Sequence, residues 1–107
     1  MNISNEITAL YDRVPRRHTT DNVKDIYGII EEYEDLLIQI ESINPFYEKQ
    51  IGSYFDIAAT AKAAIKKSTD SKASKKNKDS YFDEGSGMLK ESMQELLEFF
   101  GDGKRTD

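Results

Sequence analysis

Thr20-Asp21-Asn22-Val23-Lys24-Asp25-Ile26-Tyr27-Gly28-Ile29-Ile30-Glu31-Glu32-Tyr33-Glu34-Asp35-Leu36-Leu37-Ile38-Gln39-Ile40-Glu41-Ser42-Ile43 is the stretch whose spacing decides the fold class. Val23, Ile26, Ile30, Tyr33, Leu37 and Ile40 recur at alternating intervals of three and four, the stripe of an amphipathic helix. Ile29, Leu36 and Ile43 recur every seven residues and widen that stripe. A stripe so wide faces two neighbours, as in a bundle, and not a single coiled-coil partner. Thr19, Thr20 or Asp21 is expected to cap its start. Glu31, Glu32, Glu34 and Asp35 fall on the opposite face.

Downstream, Asn44-Pro45 reads as the next helix start, with Asn as N-cap and Pro at the first helical position. Tyr47, Ile51, Tyr54, Ala58, Ala61 and Ile65 then repeat the same spacing. Two stripes joined by almost no linker predict an antiparallel helical hairpin, each arm on the order of 33 Å long. The small residues of Ala58-Ala59-Thr60-Ala61-Lys62-Ala63-Ala64 predict close helix approach. Upstream, Ile3, Ile7, Leu10, Tyr11 and Val14 share a face behind Ser4 as N-cap, and Pro15 ends that helix. Residues 66–80 are Lys/Ser-rich with Ala73 as the only apolar residue, which predicts a mobile loop. After Ser86-Gly87, the residues Leu89, Met93, Leu96 and Phe100 mark a last helix, with Met88 and Leu97 alongside and Gly101 as its stop.

The expected architecture is a single all-α domain, an antiparallel helical bundle made of a long helical hairpin plus a C-terminal helix and a short N-terminal helix. The helices are expected at about 3–14, 20–43, 45–67 and 86–100, with a Lys/Ser-rich loop at 68–80 and a polar tail at 101–107. The C-terminal helix, tethered by a flexible basic loop, is expected to dock most weakly.

The chain has 107 residues, of which 37% are apolar, enough for one modest core. No cysteine is present, so disulfides and thiolate metal sites are excluded. Neither a secretory leader nor a membrane span of ~20 apolar residues is visible, which predicts a cytoplasmic protein. The net charge of −5 is unevenly spread. Residues 1–57 carry 11 acidic and 5 basic groups, residues 58–78 carry 1 and 7, and residues 79–107 carry 8 and 3. An acidic body with one basic segment is repelled by phosphate over most of its surface, so nucleic acid is disfavoured as a partner.

No motif carries chemistry. His18, the only histidine, follows Arg16-Arg17 in a polar connection with no partner indicated for catalysis, and is expected to be solvated. The acids at 31–35 lack the inward Glu-x-x-His pairs of bundle metal sites. Asp79-Ser80-Tyr81-Phe82-Asp83-Glu84-Gly85 fails as a calcium loop, because the third position is Tyr81 and the sixth is Glu84. The lysines at 66, 67, 72, 75, 76 and 78 have no interleaved aromatics to stack on bases. Neither cofactor nor metal is expected, and no enzymatic activity.

Tyr27-Gly28-Ile29-Ile30-Glu31 has the Tyr-x-x-x-Glu spacing that resembles small secreted helical hairpins of the WXG type, but no Trp supplies that family's turn. The helix order also resembles bacteriocin immunity proteins, in architecture alone.

These features predict a small acidic protein-binding module: an adaptor, chaperone, inhibitor or immunity-type protein. Abundant Ile and Lys beside only 4 Arg suits a bacterial or phage origin. The alternative is a nucleic-acid-linked role, through Lys-rich contact with phosphate or through acidic mimicry that blocks a nucleic-acid-binding protein. The expected partner is another protein or a second copy of the chain. The expected partner-facing residues are Phe99, Phe100 and the adaptable Met93 on the last helix, and the acidic face Glu31, Glu32, Glu34 and Asp35.

Overall fold

The computed structural model describes the backbone of residues 3–43 and 48–105, and side chains of residues 4–42 and 51–98. Four helices account for nearly all of it: α1 (Ile3–Arg13), α2 (Thr20–Ile43), α3 (Glu48–Lys67) and α4 (Lys75–Arg105), with no strand among the described residues. They form an all-α bundle in which each helix packs on its neighbours in chain order and α1 closes against α4. Side-chain pairs fix the directions. Arg13 meets Glu32, Lys67 meets Tyr81, and Tyr11 meets Lys90, so α2 runs against α1, and α4 against both α3 and α1. The body measures 50 × 22 × 18 Å. A helix of 31 residues is ~46 Å long, so α4 alone runs almost its full length.

The core is the stripe read from the sequence. Ile26, Ile29, Ile30, Tyr33, Leu36, Leu37 and Ile40 of α2 are buried together with Ile51, Ala58, Ala61 and Ile65 of α3. Ile7, Leu10 and Val14 join from the N-terminal side, and Phe82, Leu89, Met93 and Leu96 from α4. The buried Tyr33 hydroxyl needs a partner and finds the hydroxyl of Ser92 on α4 at 2.6 Å. Burial holds the Tyr33 phenol far above its usual titration range.

Contrary to expectation, α4 docks tightly: α3 and α4 are the most closely packed pair in the bundle. The reason is Gly85. A Cβ there would lie 2.7 Å from Cδ1 of Ile65 and 3.0 Å from the carbonyl oxygen of Ala61. With Ala61 on one side and hydrogen alone on the other, the two backbones approach as closely as the alanine-rich stretch of α3 suggested.

The Lys/Ser-rich loop also needs correction. The loop expected over 68–80 is confined to residues 68–74, and α4 begins at Lys75, not at 86. Low composition complexity hid a well-capped start. The Ser74 hydroxyl accepts the amide N–H of Asn77 at 3.1 Å, and Lys75 pairs with Asp79 one turn on at 3.0 Å. The turn before it is closed by the amide N–H of Lys72 donating to the Asp70 carboxylate at 2.9 Å. At the other end α4 passes through Gly101 to Arg105, so the stop and the polar tail expected from residue 101 are not where the helix ends. Ser4 lies inside α1, which starts at Ile3, and so does not cap it. At α2 the cap is Thr19, whose hydroxyl accepts the amide N–H of Asn22 at 3.0 Å. Asn44-Pro45 and Tyr47 fall outside the described residues.

Glycine-to-alanine substitution should change stability in opposite directions at two sites. At Gly85 the added methyl meets backbone, and overpacking should destabilise by roughly 1–3 kcal/mol. At Gly52, inside α3 with nothing within 4 Å of the new carbon, alanine should stabilise by roughly 0.5–1 kcal/mol. Denaturant melts of the two variants check both signs.

Candidate functional site

Two features organise the surface: a strap that positions α1, and the face of α2 beside it. The strap is residues 14–19. Arg13 pairs with Glu32, which lies twelve residues beyond Thr20 along α2. That is a climb of ~18 Å along α2, covered by a connection of six residues. Pro15 suits such a path. The strap lies along α4, pinned by Val14 in the core, by Arg16 to Asp83 at 2.6 Å, and by His18. His18 is not the solvated residue expected from sequence. Its Nδ1 lies 2.9 Å from Oδ1 of Asp79, its ring tilts over Phe82 with centroids 5.4 Å apart, and its side chain is 19% exposed. Lys75 and His18 together hold the Asp79 carboxyl below its usual range. This cluster ties the strap to the first turns of α4.

The strap delivers α1 against the upper half of α2. There the two antiparallel helices each present residues one and two turns apart: Glu6, Ala9, Leu10 and Arg13 from α1, and Glu32, Asp35, Leu36 and Gln39 from α2. Between them is a groove of about 300 Å³. Leu10 and Leu36, 3% and 5% exposed, form its floor. Arg13 closes one end with two hydrogen bonds to the Glu32 carboxylate, at 2.9 and 3.1 Å. That fork lowers the pKa of Glu32 and raises that of Arg13. Among the described residues, Oε2 of Glu6 is buried without a hydrogen-bond partner.

On the other side of Asp35 is a second recess, of about 460 Å³, between α2 and α3. Its lining is Glu31, Glu34, Asp35, Ile38 and Phe55. Ile38 is 54% exposed, and among the described residues it is the one large apolar side chain so placed. Phe55 is half-buried beside it. Glu31, Asp35 and Ile38 follow one another at helical spacing, so an apolar side chain stands at the end of an acidic ridge with a recess on each flank.

No family model, curated protein or solved structure matches this chain. Its surface must therefore speak for itself.

The four acids expected to face a partner are on this ridge: Glu31 and Asp35 exposed, Glu34 half-buried, and Glu32 engaged with Arg13. Met93 is elsewhere, fully buried in the core, where no partner reaches it. The side chains of Phe99 and Phe100 lie outside the described residues. Sequence reasoning missed Ile38. The available signal was its position, since it falls off the buried stripe of α2 and among acids. Among the described residues, no three His, Asp or Glu are grouped to hold a metal ion, and no helix is long and apolar enough to cross a membrane.

The Arg13 fork has a measurable signature. In a carboxyl-carbon NMR titration, Glu32 should titrate below its ordinary value of 4.5. Arg13→Ala should move that midpoint upward. A carboxyl depressed in the folded state adds stability above its unfolded value and loses it as pH falls through the folded one. The fork's contribution should therefore vanish on acidification below about pH 4. Both side chains are about half exposed, so the loss should be small.

Proposed function

We propose that this chain is a non-enzymatic protein-binding module, of the adaptor, chaperone, inhibitor or immunity type, that receives a basic amphipathic segment of another protein on the 31–38 ridge of α2. The observation that carries this reading is Ile38, an exposed apolar side chain set among Glu31, Glu34 and Asp35. Among the described residues none of those three carboxylates has an ion-pair partner, so the recess holds three negative charges and no base. An apolar anchor inside a ring of like charge has the form of an interface centre with a polar rim. The charge selects the partner's sign and speeds encounter, while burial of Ile38 and Phe55 supplies affinity.

A designed helical peptide of Lys and Leu, and its Glu and Leu counterpart, test this by fluorescence anisotropy. The cationic peptide should bind, more weakly as salt rises. Ile38→Asp should weaken it about tenfold or more, a loss of ~1.4 kcal/mol, with an unchanged melting temperature. Equal binding of both peptides, indifference to Ile38→Asp, or tighter binding of a DNA oligonucleotide would overturn the reading.

A further inference from the structure

The basic segment is gathered at one end of the bundle. Residues 66–78 carry six lysines, Lys66, Lys67, Lys72, Lys75, Lys76 and Lys78, against one acid, Asp70. Lys66 and Lys67 end α3, Lys72 lies in the connecting loop, and the other three stand in the first turn of α4. Helix register shows how far this end projects. The helices α2 and α4 run parallel, and the Tyr33–Ser92 contact places Thr20, where α2 starts, level with Asp79. His18, just before Thr20, does meet Asp79. On the other side Lys67, the last residue of α3, reaches Tyr81. The first turn of α4 and the loop before it therefore stand clear of both neighbouring helices as a basic knob.

Five of the six lysines are exposed and Lys78 is half-buried. Among the described residues, Lys75 alone of the six has an ion pair, to Asp79. Both acids at hand are engaged: Asp79 by Lys75 and His18, and Asp70 by the amide N–H of Lys72. This arrangement works against the fold. A helix N-terminus carries partial positive charge and disfavours cations, yet the first turn of α4 holds three lysines and no acid. Lys75 and Lys78, three residues apart, also repel each other. A local choice that folding resists marks a second requirement. The acidic remainder of the chain does not cancel the knob. Asp21 and Asp25 lie behind it on α2, and Glu31, the first acid of the ridge, stands ~16 Å beyond Thr20 along the axis. That is about two Debye lengths at physiological salt.

We infer that this knob is a docking surface for an anionic lipid bilayer, on which the bundle stands end-on. The complementarity is one of charge: a projecting group of lysines meets a plane of negative headgroups, and the acidic flanks stay behind it. Three features select lipid over nucleic acid. The segment has six lysines and no arginine, so the fork that grips phosphate through two hydrogen bonds is missing. No aromatic residue lies among the lysines to stack on bases. A compact basic cluster of this size is what fluid anionic headgroups attract, each lysine adding its share within a Debye length of the surface. Among the described residues no helix is long and apolar enough to cross a membrane, so the attachment is peripheral and reversible. The end-on pose leaves the ridge of α2 open, and the inference does not rest on the ridge being an interface.

Co-sedimentation with phosphatidylcholine vesicles, with and without about one-third phosphatidylserine, tests this. The chain should bind the anionic vesicles alone. It should be released as salt rises from about 0.1 to about 1 M, where the Debye length falls from ~10 to ~3 Å. Lys72, Lys76 and Lys78 have no ion pair among the described residues, so replacing them together (Lys72→Gln, Lys76→Gln and Lys78→Gln) should not lower the melting temperature. Vesicle binding by that variant should weaken roughly a hundredfold, at about fivefold per lysine. Arginine at the same three positions should restore it, which separates loss of charge from loss of fold. The glutamine variant should still bind the Lys/Leu peptide, so failure here is distinct from failure of the ridge. Equal binding to the two vesicle types, indifference to salt, or unchanged binding by the glutamine variant would overturn the inference. So would tighter binding of duplex DNA than of anionic vesicles at equal phosphate concentration.

Discussion

The approach of α3 to α4 at Gly85 is the constraint on which the rest of the bundle depends. A single missing side chain lets the Ala61 carbonyl and Ile65 sit where a Cβ would otherwise be. Glycine inside a helix costs roughly 0.5–1 kcal/mol against alanine in isolation. Here that cost is offset by contact along a helix that spans nearly the whole molecule. With α4 fixed on α3, Phe82, Leu89, Met93 and Leu96 point into the space that α2 fills, and Ser92 meets the buried hydroxyl of Tyr33. The early turns of α4 become a platform for the strap. The strap in turn sets where α1 begins its contact with α2. The groove and the ridge are thus downstream of a contact on the far side of the bundle.

The same chain of dependence explains which parts of the fold were legible in the sequence. The stripe from Val23 to Ile40 declares a helix because burial on two sides repeats locally, and nothing distant is needed to read it. The hairpin followed for the same reason. The first two turns of α4 could not be read this way, because Lys75, Lys76, Asn77, Lys78 and Asp79 contain no apolar residue. They are held by Ser74, by an ion pair within the helix, and by His18 from sixty-one residues earlier in the chain. Composition reports the local part of that balance and is blind to the distant part. Likewise, Gly101 has the residue type of a helix stop, yet the helix continues.

The candidate site was half legible. The acids at 31, 32, 34 and 35 were placed on the outward face by the same periodicity that placed the core. Their division into two settings was not visible, since it depends on where α1 lies. Glu32 belongs to Arg13, whereas Asp35 stands between two recesses. Met93 shows the converse. Its adaptable side chain suggested a binding surface, but its register on α4 puts it in the core.

The ridge is also where the sequence departs from what folding alone requires. Like charges spaced three or four residues apart weaken a helix by roughly 0.2–0.5 kcal/mol per pair. Glu31 with Glu34 and Glu31 with Asp35 are such pairs. Helix α2 tolerates them because its buried faces are packed against α1 and α3, with Tyr33 reaching Ser92 of α4. An exposed isoleucine in their midst adds nothing to the core that a polar residue would not leave intact. Local choices that conflict with the surrounding pattern, where a neutral or alternating surface would serve the fold better, are the places where a second requirement is at work. On this helix clustered like charges and an exposed isoleucine coincide in one stretch of eight residues, from Glu31 to Ile38, bordered by the two recesses. A requirement for binding accounts for both anomalies together: the carboxylates set the sign of the partner, and Ile38 gives it something apolar to cover.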